Sequence, residues 1–120
     1  MSRDHRRLRV FALADELVID VYRATASLPE EERYGLRSQL RRAALSAASN
    51  IVEGSARRTT REYLNFLNVA IGSGTEARYL LDVAHRLELL PGGAHRVLTG
   101  RYTTLLKGLE TLIRSLEALP

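Results

Sequence analysis

The chain has 120 residues, 45% of them hydrophobic, and a formal charge of +4 from 18 Lys+Arg against 14 Asp+Glu. That length sets a single domain, residues 1–120, with one modest core. It holds no cysteine and only three dispersed histidines, which excludes disulfides and thiolate chemistry and leaves a zinc site almost nothing to work with.

Residues 1–9 are a basic arm with Arg3, Arg6, Arg7 and Arg9. The arm leads into no long apolar run, so neither a secretory signal nor a membrane span is expected, and the protein reads as cytoplasmic with no membrane partner. A first helix is predicted from about Val10 to Leu28, where Ala14, Leu17, Val18, Val21, Thr25 and Leu28 recur at helical spacing and Leu13 and Ile19 lie off that stripe. Pro29 breaks the run. Glu30, Glu31 and Glu32 then place negative charge at the N-terminus of the second helix, where the dipole favours it.

The second helix, ending near Ser55 with Gly54 as its C-terminal stop, is the centre of the reading. Its segment QLRRAALSAASNIVEG, Gln39–Gly54, separates into three stripes on a helix. Leu36, Leu40, Ala43, Ala47, Ile51 and Gly54 face the core, and their small size lets a neighbouring helix approach closely. Tyr34, Leu45 and Val52 form a smaller apolar strip beside Arg37 and Arg41. Gln39, Arg42, Ser46, Asn50 and Glu53 form a polar file, which is costly to bury unless its members satisfy one another.

Arg57-Arg58-Thr59-Thr60 is the next connection; with Thr59 as N-cap, Glu62 completes a capping box. The third helix is predicted from about Thr60 to Leu90. Its main stripe is Tyr63, Phe66, Leu67, Ala70, Gly74, Ala77, Leu81 and Ala84. Val69, Leu80, Val83 and Leu87 make a second stripe, and Leu64 with Ile71 a third. Pro91-Gly92-Gly93 ends it. The fourth helix covers about Ala94–Ala118, with Leu98, Tyr102, Leu105, Leu106, Leu109, Leu112, Ile113 and Leu116 on one face. No segment alternates as a strand does. The fold class is therefore all-α, an antiparallel up-down-up-down four-helix bundle. Apolar residues outside the main stripes point to self-association, which makes a homo-oligomer the first expected partner.

Two constellations carry the functional reading. With helices two and three packed antiparallel, Arg42, Ser46, Asn50 and Glu53 face Ser73 and Glu76, and this network reads as a latch that fixes register rather than as a reaction site. In an up-down bundle one end collects Arg6, Arg7, Arg9, Arg57, Arg58 and Arg61, with Arg3 and Arg114, while Glu30, Glu31, Glu32 and Glu88 lie at the other. Such an arginine-rich end serves equally as a solvated surface or as a salt-sensitive contact for RNA or DNA backbone; it lacks the aromatic residues that stack single-stranded bases. Lys107 is the only lysine; heavy arginine usage suits phosphate recognition, and a GC-rich genome explains it at least as well, so net charge alone is weak evidence for a nucleic-acid partner.

Catalysis has little support. Glu53 and Glu76 lack an accompanying nucleophile and base. Asp82-x-x-His85 is half of a di-iron motif without its second half, and reads as a pair of surface residues. No cofactor, metal site or catalytic residue is assigned.

The Leu28-Pro29 step, Glu32, Leu36, QLRRAALSAASNIVEG and YLNFLNVAIGSGTEARYLL together resemble the four-helix-bundle proteins first noticed as open reading frames in intervening sequences of bacterial 23S ribosomal RNA genes. The likeness runs from Val10 to about Leu116. This chain has Ala47-Ala48 where that family commonly has Ile-Pro, and Gly74 where it commonly has Leu. The resemblance implies a left-handed bundle assembled as a ring-shaped homopentamer. That family is in turn similar to the accessory variability protein of diversity-generating retroelements, a pentameric barrel that binds a reverse transcriptase and nucleic acid. The expected function is a non-enzymatic oligomeric scaffold that binds nucleic-acid backbone through its arginine-rich end. The alternative is a protein-interaction adaptor, its partner a protein such as a reverse transcriptase, with no direct nucleic-acid contact.

Overall fold

The computed structural model describes residues 4–32 and 35–120. The expectations placed on Arg3 and Tyr34, and on the Arg7 side chain, lie outside the described residues. Among the described residues there are four α-helices and no strand: α1 Arg9–Thr25, α2 Leu36–Ser55, α3 Thr60–Arg86 and α4 Gly92–Glu117, with short 3-10 turns at His5–Arg7 and Glu30–Glu32. None of these helices is long and apolar enough to cross a membrane.

Neighbouring helices contact each other in opposite order along their lengths. Ser46 of α2 meets Ser73 of α3, and further along α2 Gly54 lies against Tyr63 and Phe66. Between α3 and α4, Asp82 reaches His95 and Arg78 reaches Thr103. Arg101 of α4 binds Glu16 and Asp20 of α1, and Arg41 of α2 reaches Thr25 and Tyr22 of α1. The elongated body measures 49 × 23 × 19 Å.

The apolar stripes meet along its axis. Leu17, Val21, Leu40, Ile51, Leu67, Leu81, Leu105 and Leu109 are fully buried, as are the rings of Tyr63 and Tyr102. The alanines of α2 do more than the core stripe predicts: Ala44 and Ala48 are buried beside Ala43 and Ala47, so α2 turns a broad, small-residue face to its neighbours. Gly54 is a correction. It is no helix stop but an interior packing residue, where a Cβ would sit 2.8 Å from Phe66 Cβ and 3.0 Å from Tyr63 Cδ1. Only a bare α-carbon admits α3 at that depth.

Three helix ends differ from the periodicity-based expectation for physical reasons. α1 stops at Thr25, whose hydroxyl donates to the Val21 carbonyl at 2.7 Å, and the residue before Pro29 disfavours helix. Glu30–Glu32 is a separate turn, yet Glu32 still serves α2, because its carboxylate accepts from the Leu36 N–H at 3.2 Å. α3 ends at Arg86, before Pro91. Glu88 takes φ 60°, the Glu88 N–H donates to His85 and the Leu89 N–H to Ala84, both at 2.9 Å. This closes a Schellman motif with glutamate in the place glycine usually holds. Gly92 and Gly93 open α4 instead of ending α3.

Candidate nucleic-acid interface

The His5–Arg7 turn packs against α1 and α2, Val10 at the start of α1 reaches Gly108 of α4, and the end of α2 meets the start of α3 at Gly54. These contacts gather Arg6, Arg9, Arg57, Arg58, Arg61 and Arg114 toward one end of the body. The local sequence sets each in place differently. Asp4 caps the 3-10 turn through the Arg6 N–H at 3.1 Å and grips the Arg6 guanidinium at 3.0 and 2.9 Å. The Arg6 side chain, then its backbone N–H, hold the Asp4 carboxyl down at about 2. Arg6 therefore enters the surface already paired with an anion.

Thr59 caps α3 as expected, its hydroxyl accepting from the Glu62 N–H at 3.1 Å, but the Glu62 carboxylate takes the Thr59 hydroxyl at 3.0 Å rather than the backbone N–H a full capping box uses. That fixes the turn from which Arg58 and Arg61 project, both exposed. Arg57 lies over the Phe66 ring at 5.2 Å and its Nε donates to the Glu53 carbonyl at 3.2 Å. A hollow of about 300 Å³ lies between Ala56, Arg57, Arg58 and Glu62. Arg9 and Arg114 are exposed. The arrangement offers guanidinium forks suited to phosphate oxygens, and the Phe66 ring beside them is covered by Arg57.

The polar seam between α2 and α3 is smaller than its sequence pattern suggests. Ser46 and Ser73 share a hydroxyl hydrogen bond at 2.7 Å. Asn50 donates to the Ser46 carbonyl at 2.8 Å and to its hydroxyl at 3.1 Å. The other three expected members stay outside. Arg42 is exposed and donates to Gln39, and the exposed Glu53 and Glu76 join neither serine. Long charged side chains beside a seam reach water at little cost, whereas serine and asparagine are short enough to remain within it.

The chain matches the model of the 23S rRNA-intervening sequence protein family over residues 6–111. It belongs to that family. A solved structure with a similar fold is a protein of unknown function from the S23 ribosomal protein family of Bacteroides thetaiotaomicron VPI-5482, at TM-score 0.81 and 21% sequence identity, covering 88% of this chain and 95% of that one. No curated protein matches. The family match takes in Arg6, Arg9, Arg57, Arg58, Arg61 and all three members of the serine–asparagine seam.

Several arrangements in this family member escape a reading of the sequence. Asp82 and His85 are not isolated: His95 of α4 bonds Asp82 at 2.6 Å and stacks on the His85 ring at 4.2 Å, 8° from parallel. Among the described residues no group of three or more His, Asp or Glu is placed to hold a metal ion. Arg101 joins α4 to two carboxylates of α1. The acidic half of the molecule also carries arginines: Arg37, Arg41 and Arg42 line a groove of about 820 Å³ along α2. The strip of Leu45 beside Arg37 and Arg41 was the only sequence signal for it.

Proposed function

We propose that this chain is a non-enzymatic subunit of a ring-shaped homo-oligomer, a pentamer by analogy with its family, that works in the cytoplasm and binds RNA or DNA backbone through its arginine-rich end. In this reading the protomer is an up-down-up-down bundle, and each copy contributes its basic end to one rim. The observation that carries it is the exposure of Arg9, Arg58, Arg61 and Arg114 toward one end, beside an Arg6 that a carboxylate grips in a bidentate pair. Self-association is supported by large apolar side chains left in solvent, among them Ile19, Leu45, Val69, Tyr79, Leu87 and Val97, which are 45–59% exposed.

The test is a titration of labelled duplex RNA and DNA over a salt series, run beside light scattering. Binding is expected to weaken steeply with salt, and charge reversal at Arg57, Arg58 and Arg61 to abolish most of it. Absence of binding at low salt overturns the nucleic-acid reading. An oligomer that binds no nucleic acid is instead an interaction adaptor, with its exposed apolar residues as docking points for a protein such as a reverse transcriptase. A subunit that stays monomeric at high concentration removes the ring.

A further inference from the structure

The groove between α1 and α2 holds a second concentration of positive charge. Arg37 donates to the Leu28 carbonyl through Nη2, and its Nε is buried with no hydrogen-bond partner among the described residues. Arg41 donates to the Thr25 hydroxyl at 2.9 Å and the Tyr22 carbonyl at 3.2 Å, and its guanidinium lies 4.5 Å over the Tyr22 ring. Arg42 is steadied by Gln39 at 2.6 Å. All three are positioned by neutral groups, and none forms an ion pair among the described residues. Their charges are held in place without being cancelled.

Side chains one turn apart on a helix repel when their charges match, so an anion in the groove relieves a standing cost. Arginine forks favour planar or tetrahedral oxyanions. The exposed hydroxyl of Ser38, one turn from Arg42 on the same wall, supplies a neutral donor that a phosphate uses for a remaining oxygen. The groove is open to solvent and, at about 820 Å³, exceeds what a bare phosphate needs. Tyr22 and Leu45 give it an apolar flank. Glu30 is the one carboxylate among the described lining residues and is exposed.

We propose that this groove is a nucleotide-phosphate site, with Arg37, Arg41 and Arg42 on the phosphate, Ser38 completing its hydrogen bonds, and Tyr22 beside the base. It is separate from the arginine-rich end, because Arg37 and Arg57 lie near opposite ends of α2, roughly 30 Å apart at the helical rise. The same chemistry is presented by a free mononucleotide and by one unit of a single strand.

The test is calorimetric titration of the full chain at low salt with inorganic phosphate, adenosine monophosphate and a twelve-nucleotide single strand. Adenosine monophosphate is expected to bind at least tenfold more tightly than phosphate. Arg42→Glu is the main variant, since Arg42 bridges no helices; a tenfold or greater loss is expected from it, with Arg41→Gln as the second variant. Arg58→Glu/Arg61→Glu is expected to leave mononucleotide binding unchanged, which separates this site from the proposed function. If only the strand binds, and Arg42→Glu weakens it, the groove is a strand-binding site. No binding of any probe overturns the proposal, as does a loss that follows Arg58 and Arg61 instead. So does an Arg42→Glu variant that keeps its affinity while its light-scattering mass falls, since the groove is then an interface between copies.

Discussion

Replacing Gly54 with alanine tests the closest approach between α2 and α3. The new methyl group would lie 2.8 Å from Phe66 Cβ and 3.0 Å from the buried Tyr63 ring, well inside the roughly 3.5–4.0 Å optimum for two carbons. Phe66 Cβ is fixed to the α3 backbone, so no rotamer change relieves the contact and the helix itself must move. Overpacking of this kind costs about 1–3 kcal/mol. Alanine returns about 1 kcal/mol of helix propensity, leaving a net loss of about 1 kcal/mol. Gly100 provides the control: it is exposed in α4, and a Cβ added there meets no atom within 4 Å, so Gly100→Ala should gain about 1 kcal/mol. The two variants should therefore differ by about 2 kcal/mol, or about 8 °C in melting temperature for a chain of this length. Thermal and urea unfolding at one fixed protomer concentration read the difference. A Gly54→Ala protein as stable as Gly100→Ala would refute the close α2–α3 packing.

Three further outcomes follow from the same geometry. Tyr102 is buried, its hydroxyl has no hydrogen-bond partner among the described residues, and burial together with the charge of Asp20 pushes its pKa well above the ordinary tyrosine value; Tyr102→Phe should raise stability by about 1 kcal/mol in urea unfolding. Ser46→Ala removes the shared partner of Ser73 and Asn50 and should cost about 1–2 kcal/mol, whereas Ser49→Ala, with one exposed bond at 3.4 Å, should change little. Asp4→Asn keeps the cap of the 3-10 turn but removes the charge that neutralises Arg6; duplex affinity at low salt should rise, and the salt slope should steepen by up to about one.

The helices and the apolar core were legible because each stripe repeats at helical spacing over many turns, and the Thr59 cap because its signal is confined to four residues. The stop of α3 was not, since Glu88 occupies a left-handed position that sequence reasoning reserves for glycine. Gly54 misled for the converse reason: near a helix end a glycine reads as a cap, and only the facing Tyr63 and Phe66 reveal it as a packing residue. The polar file was legible as a pattern, but side-chain length decided its membership, keeping Ser46, Asn50 and Ser73 while Arg42, Glu53 and Glu76 turned to water. Contacts between residues far apart, such as Arg101 with Glu16 and Asp20 or His85 with His95, have no periodic signature at all.

Those long-range contacts also change what the arginine count means. Arg101 is matched by two carboxylates and Arg6 by one, so neither offers its full charge to a ligand. Arg37 and Arg41 are held by carbonyls and a hydroxyl, which orient a guanidinium while leaving its charge uncancelled. A formal charge of +4 averages over these cases and describes none of them. The discriminating property is the chemistry of each arginine's first partner: a carboxylate turns it into a structural tie, and a neutral acceptor leaves it a positioned cation. By that criterion both ends of α2 carry positioned cations, one through exposed arginines on a capped turn and the other through arginines pinned against α1, and the two proposed sites are separable because a charge reversal at one end is expected to leave the other intact.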